Sequence, residues 1–318
     1  MPFIRKIFLI LVLSFFVSIA IAYVYDFDED VFLIDSLWRK VKTLPKEKRP
    51  KVVLVLGGGG ARGISHIGVF RVLYEEQIPI DLVVGTSVGS IAGAFYCAGL
   101  PIENFENIAK NIHWKDISNF SYPSLISMFL NENLLSNEKL GKFVSKNIGE
   151  INFAQLKVPL ICVATDLNTG ERILLREGSV GFAVRASAAI PGIFKPVEYR
   201  QRYLVDGGLV ENIPVNVAKI FNADIIIVVS VAADITKNNI DNVFATLMQA
   251  IYIQGKTLDQ ENLDMSDIVI YPDVGEISAF DFRNAYKTID KGFIAAKRSL
   301  KNIKMTIINK ITENVLLE

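Results

Sequence analysis

Lys51 opens a continuous apolar run, KVVLVL, that stops at Gly57-Gly58-Gly59-Gly60-Ala61-Arg62-Gly63. A run with no polar alternation suits a strand buried on both faces, which means a parallel sheet covered by helices. The next stretch, ISHIGVFRVLYEEQ, places Ile64, Ile67, Val69, Phe70 and Leu73 at helical spacing. DLVVG is then a second buried strand, and SIAGAFYCAGL a small-residue helix. Strand, loop, helix, strand, loop, helix in so short a stretch implies right-handed parallel crossovers.

The remainder fits that frame. Residues 101–150 are more polar and helical, an insertion or cap with one apolar patch, SYPSLISMFL. VPLICVATDL is a strand, and NTGE turns it into a hairpin with RILLREG. FAVRASAAIPGIF is a short helix ended by Pro191; YLVDGG, ADIIIVVSV and DIVIYP supply further strands. With 51% of the 318 residues apolar, the chain can bury a sizeable core. Lys plus Arg and Asp plus Glu number 34 each, so no nucleic-acid partner is expected. Cys97 and Cys162 lie in apolar stretches and read as two separate buried thiols, without the spacing of a zinc site.

The first residues have their own logic. After Arg5 and Lys6, the 19 residues Ile7 to Tyr25 carry no charge, about enough to cross a bilayer. Ala20-Ile21-Ala22 also fits a signal-peptide cleavage site. The expected organisation is an anchor or signal peptide at 1–25, a polar linker at 26–50 with Trp38 on an amphipathic stretch, and the main folded domain at 51–318. A membrane-anchored domain outside the cytoplasm is expected, or a secreted one if the segment is cleaved. The basic residues Arg39 to Lys51 leave orientation open.

Gly85-Thr86-Ser87-Val88-Gly89 lies directly between a buried strand and a helix. A serine on so tight a turn is held exposed at the carboxyl end of a sheet, with the helix N-terminus favouring developing negative charge. The bland alternative is a helix cap. The glycine segment on the preceding strand exposes successive backbone N–H groups, as an anion nest or an oxyanion hole. A dinucleotide site would want an acidic residue ending the second strand, whereas Asp81 begins it. A nucleotide P-loop would need Gly-Lys-Ser/Thr, which is absent.

The base must come from elsewhere. Only His66 and His113 are available; His66 precedes Ser87, and His113 lies in the expected cap ahead of the strand-end acids Asp166 and Asp206, so the usual Ser-acid-His order is not expected. Asp206, in Tyr203-Leu204-Val205-Asp206-Gly207-Gly208, follows a strand and precedes two glycines. It would need burial to raise its pKa and a hydrogen bond to Ser87; the bland reading is an Asp-Gly-Gly turn. Ser187 is a rival nucleophile on paper but lacks an elbow and reads as helix packing. Asp166 is either a turn residue or a support to the site.

Together these segments resemble the patatin-like phospholipases, notably bacterial members related to the neuropathy-target-esterase group. The resemblance covers about Lys51 to Leu300. It includes Gly58 to Gly63, Gly85 to Gly89 and Asp206-Gly207-Gly208, and also ATDLNTGE, RASAAIPGIFKPV and FDFRNAYKTIDKGFIAA. It implies a three-layer α/β/α sandwich with a mainly parallel central sheet. It implies a Ser87–Asp206 dyad, an oxyanion hole from Gly58, Gly59 and Gly60, and Arg62 as a nearby positive charge. Gly63, Gly85, Gly89, Gly207 and Gly208 would support these. Neither metal nor organic cofactor is implied. The expected substrate is a phospholipid, lysophospholipid or other acyl ester at a membrane surface; oligomeric state is left open. The alternatives are a membrane-tethered, non-catalytic binding protein of the same fold and a hydrolase of soluble esters or thioesters.

Overall fold

The computed structural model describes residues 29–119, 134–232 and 243–317. It divides into two units, Met1–Thr43 and Leu44–Glu318. In the first, helix α1 (Glu29–Val41) occupies part of the stretch read as a linker. The run Ile7–Tyr25 and the whole SYPSLISMFL patch lie outside the described residues. None of the described helices is long and apolar enough to cross a membrane.

In the second unit, strand β1 (Val52–Leu56) is buried along its whole length between β2 (Leu82–Thr86) and β7 (Ile225–Val229). Its lack of polar alternation follows from that position, because helices cover both faces. Helix α2 (His66–Glu75) follows the glycine segment, and α3 (Val88–Ala98) follows β2. Gly93 of α3 lies against Leu56, Val83 and Leu160. The opposite face carries Val53, Val55, Val84, Ile161, Val163, Ile226 and Val228 against Val215, Val217 and Ala218. Burying each of these branched side chains contributes roughly 1.5–3 kcal/mol, before the chain entropy it offsets.

The described residues of 101–150 are mainly helical as expected, with α4 (Ile102–Asn111), α5 (Trp114–Ile117) and α6 (Glu138–Ile148). Strands β3 (Leu160–Asp166) and β4 (Arg172–Leu175) form the expected hairpin. Helix α7 (Val180–Ser187) ends before Pro191. Then come β5 (Val197–Tyr199), which the pattern KPVEY did not announce, β6 (Arg202–Asp206) and α8 (Val215–Ile220). Beyond β7 lie α9 (Val243–Asp264), β8 (Ile268–Ile270) and α10 (Thr288–Leu317).

The sheet runs β5-β6-β3-β2-β1-β7-β8, with β4 paired to β3. Five strands, β8, β7, β1, β2 and β3, are parallel; β4, β5 and β6 are antiparallel additions. The sheet is therefore mixed, parallel from β3 through to the β8 edge and antiparallel at β4, β5 and β6.

The register at β3 fixes what meets what. Cys162 and Val163 pair with both β2 and β4, so those two strands lie on opposite edges of β3. Ala164 and Thr165 pair with both β4 and β6, so β6 takes the same edge that β2 vacates. Thr86 sits opposite Val163 and Asp206 opposite Ala164. The end of β2 and the end of β6 thus converge on one point, and the residue after Thr86 is Ser87.

Candidate active site

At that point Ser87 has φ 55° and ψ −124°, a left-handed conformation that a side chain adopts at a cost. Gly89 makes the turn sterically feasible: a Cβ there would stand 2.1 Å from the Leu56 carbonyl oxygen. Gly85 likewise faces the Gly89 carbonyl, where a Cβ would approach to 2.6 Å. The strain is held by hydrogen bonds. The Ser87 N–H donates to Ser187 Oγ at 3.0 Å, and Ser187 Oγ lies 2.5 Å from the Val163 carbonyl and 2.8 Å from Ser90 Oγ. The Ser90 hydroxyl reaches the Gly85 carbonyl at 2.7 Å. Ser187, fully buried, is therefore a brace for the elbow. Its sequence setting showed only small residues suited to close packing.

Asp206 faces Ser87 from β6. Thr165 Oγ1 donates to its backbone carbonyl at 3.0 Å, and the Gly208 N–H donates to Oδ1 at 2.8 Å. Gly207 passes so close to Val163 that a Cβ would come within 2.4 Å of its carbonyl oxygen. Burial pushes the Asp206 carboxyl up to about 6, against the opposing hydrogen bonds from the Ser87 hydroxyl and the Gly208 N–H. A serine hydroxyl is thus hydrogen-bonded to a carboxylate that is both more basic than usual and ionised at neutral pH.

The glycine segment lies beside this pair. Gly57 N–H donates to the Val229 carbonyl, Gly58 N–H to the Asn212 carbonyl at 3.2 Å and Ala61 N–H to the Ala279 carbonyl at 2.8 Å. Among the described residues the Gly59 and Gly60 N–H groups carry no such bond, and both residues line the cavity of Ser87. Of the three amides expected as oxyanion donors, the Gly58 N–H is engaged by the Asn212 carbonyl, while those of Gly59 and Gly60 are not engaged by backbone. Gly58 instead allows close packing. A Cβ there would stand 2.4 Å from Asn212 Oδ1 and 3.2 Å from Ser87 Cβ, so a side chain at 58 would displace the Asn212 amide. Gly63 lies against Val88, where the two loops meet.

Arg62 is buried, and burial lowers its pKa, while the Tyr252 hydroxyl engages its guanidinium and opposes that shift. Tyr252, on α9, also feels the Asp206 charge and has its own pKa raised, chiefly by burial. No motif pointed to it; α9 read simply as helix. His66 is fully buried, with Nε2 3.1 Å from the Gly57 carbonyl, and burial takes it down to about 4. A neutral ring protonated on Nε2 fixes the glycine loop and is no base for Ser87. His113 is half exposed and caps α5. Asp166 binds Arg202 at 2.8 Å and the Asn168 N–H at 3.0 Å, so it holds the β3–β4 turn. Arg172 pairs with the buried Glu211, whose backbone carbonyl accepts from Thr86 Oγ1 at 2.9 Å. The Thr86 bond ties the loop after Asp206 to the strand before Ser87, and the ion pair ties the same loop to β4. Cys97 and Cys162 are free and buried.

Ser87, Asp206, Arg62 and the glycines open into a cavity of about 270 Å³ whose apolar wall includes Ile190, Pro191, Leu209, Leu263 and Phe280. Phe280 is fixed by Trp114, whose indole N–H donates to its carbonyl at 3.0 Å.

An uncharacterized NTE family protein of Mycobacterium tuberculosis is 36% identical over 181 residues, which cover 57% of this chain and 49% of that protein. Lysophospholipase NTE1 of Pyricularia oryzae is 30% identical over 188 residues, 57% of this chain and 12% of that protein. The chain thus spans about half the length of the mycobacterial relative and a small part of the fungal one. Among solved structures, VipD from Legionella pneumophila is a distant likeness, with TM-score 0.48 and 16% identity over 81% of this chain and 67% of that one. The sequence model for patatin-like phospholipase matches residues 54–219, a span just over half of the chain that contains Ser87, Asp206 and the glycine segment, and the chain belongs to that family.

Proposed function

We propose that this chain is a serine acyl hydrolase acting on phospholipid, lysophospholipid or related lipid esters through a Ser87–Asp206 dyad. The observation that carries the reading is the strained Ser87 hydroxyl hydrogen-bonded to a buried carboxylate of raised pKa at the head of an apolar cavity. Family membership and the fungal relative named as a lysophospholipase support the substrate class.

The chemistry follows from these groups. Ser87 Oγ attacks the ester carbonyl while Asp206 takes its proton. The Gly59 and Gly60 N–H groups receive the oxyanion, with the Arg62 charge close by. The intermediate collapses, the alcohol leaves with the proton from Asp206, and the acyl group stays on Ser87. Water, deprotonated by Asp206, then releases the fatty acid. The acyl chain lies along the apolar wall, where its burial favours binding by about 0.8 kcal/mol per CH₂.

The uncharged run Ile7–Tyr25 is proposed as a membrane anchor or signal that brings the domain to its substrate. The deciding experiment is hydrolysis of 4-nitrophenyl esters and lysophospholipids by the wild type, Ser87→Ala and Asp206→Asn, with fluorophosphonate labelling. Labelling at Ser87 and loss of turnover in both variants are expected. A folded wild type that neither reacts nor turns over would leave the tethered binding protein as the reading.

A further inference from the structure

Buried polar atoms are nearly always hydrogen-bonded, so each one left over calls for a physical reason. Among the described residues, Arg62 Nε, Ser230 Oγ and Asp259 Oδ1 are buried atoms without a partner, and all three side chains line the Ser87 cavity. Arg62 and Ser230 are only 5% and 2% exposed. Arg62 already stands beside the oxyanion, but Ser230 Oγ and Asp259 Oδ1 are not accounted for by ester cleavage at Ser87, which needs only the Asp206 carboxylate and N–H donors. The hydrocarbon of an acyl chain cannot satisfy them either.

Asp259 is the most informative of the three. It stands on α9, outside every motif. One of its oxygens, Oδ2, accepts from Asn212 Nδ2 at 2.9 Å, and the Ile213 backbone also bonds the carboxylate. The other, Oδ1, remains a free acceptor. The same Asn212 holds Gly58 through its carbonyl, and Gly58 abuts Ser87. Asp259, Asn212, Gly58 and Ser87 are therefore consecutive contacts, and the free acceptor lies on the wall of the cavity that holds Ser87.

Resting on the hydrolase reading above, we infer that Asp259, with Ser230, forms a polar subsite that receives an O–H or N–H donor on the alcohol portion of the ester. Two parts of a lipid offer that chemistry: a free hydroxyl on a partly acylated glycerol, or the ammonium of a headgroup. The glycerol hydroxyl lies nearer the scissile bond and is the expected occupant. A fully acylated glycerol would place hydrocarbon against an acceptor it cannot satisfy, and sites built for a hydroxyl discriminate strongly against analogues lacking it.

Asp259→Asn is the sharpest test, because the amide oxygen can keep the bond from Asn212 while the free acceptor becomes an N–H donor. The readout is a ratio of kcat/KM values for the full chain. Palmitoyl lysophosphatidylcholine is compared with its 2-deoxy analogue, and separately lysophosphatidylethanolamine with lysophosphatidylcholine. The wild type should favour the hydroxyl-bearing lipid over the deoxy analogue by about tenfold or more, and Asp259→Asn should bring that ratio to about one. Ser230→Ala should reduce the same ratio about threefold, and serves if the first variant fails to fold. If Asp259→Asn instead abolishes an ethanolamine preference, the subsite stands and its occupant is the headgroup. Ratios unmoved by either variant, with Ser87 still labelled by fluorophosphonate, would overturn the subsite alone. An unlabelled and inactive wild type would overturn the hydrolase reading and the subsite with it.

Discussion

On one side of the Ser87 cavity stand loops at the ends of β-strands; on the other stands a single helix, α9. The strand-end side presents mostly backbone: the Gly59 and Gly60 amides, the strained Ser87 and the turn that holds Asp206. Each is fixed by sheet register and by close contacts that exclude a side chain. The helical side presents mostly side chains, among them Tyr252 and Asp259. Backbone groups set by a sheet cannot be exchanged one at a time, whereas residues on a helix can. The first wall therefore suits chemistry and the second suits selectivity and tuning.

That division can be broken by mutation. The largest effect is expected at the strand-end wall: Ser87→Ala and Asp206→Asn should each lower kcat by about 10³-fold or more without unfolding the protein, measured by ester turnover beside circular dichroism. A residual rate within tenfold of wild type for either would remove the dyad. Asp206→Asn carries a second signature. The unfolded chain releases this proton near 3.8 and the folded chain near 6, so raising pH through that window favours unfolding. The wild type forfeits on the order of 3 kcal/mol by pH 8. The asparagine variant should melt higher than wild type at pH 8 and lose that advantage by pH 3.5, in thermal melts at both pH values.

Next in size is Ser187→Ala, which leaves the buried Ser87 N–H without an acceptor. A destabilisation of about 1–3 kcal/mol in urea is expected. With it should come a roughly tenfold fall in kcat and little change in KM, since the brace acts on the nucleophile's position. The wild-type kcat itself should rise with pH through about 6 as Asp206 ionises. Smallest is Tyr252→Phe, from the helical wall. Without the phenol oxygen the Arg62 guanidinium is free to turn towards Asp206, and a nearby cation lowers a carboxyl pKa. The acidic limb of the kcat profile should move down by about half a unit to one unit. An unchanged limb would mean Tyr252 only fills space.

The same two walls differ in how far the sequence exposes them. The strand-end wall was legible because its demands fall on residue type: glycines at 58, 85, 89 and 207 stand where a Cβ would collide with backbone or a held side chain. What sequence could not show was which amides are spent, and the Gly58 N–H is consumed by the Asn212 carbonyl. Tyr252 and Asp259 lay in a helix whose pattern speaks of packing, and their meaning comes from partners at Arg62 and Asn212, far off in the chain. Strand β5 went unread because it is three residues long and follows a proline. The antiparallel placement of β6 was likewise hidden, since register is a property of pairs of strands.

Asp81, at the foot of β2, has a mechanical consequence. Its carboxylate takes a two-pronged grip from Arg49, at 2.7 and 2.9 Å, an ion pair from Lys46 at 3.4 Å and the Val52 N–H at 3.0 Å. These bonds lie at the opposite end of β1 and β2 from the glycine loop and the elbow. Any pull transmitted along the chain towards β1 is grounded at Arg49 onto the neighbouring strand before it reaches the first sheet residue. The clamp works as a strain relief, like the collar on a cable: tension stops at the casing and the contacts inside keep their alignment.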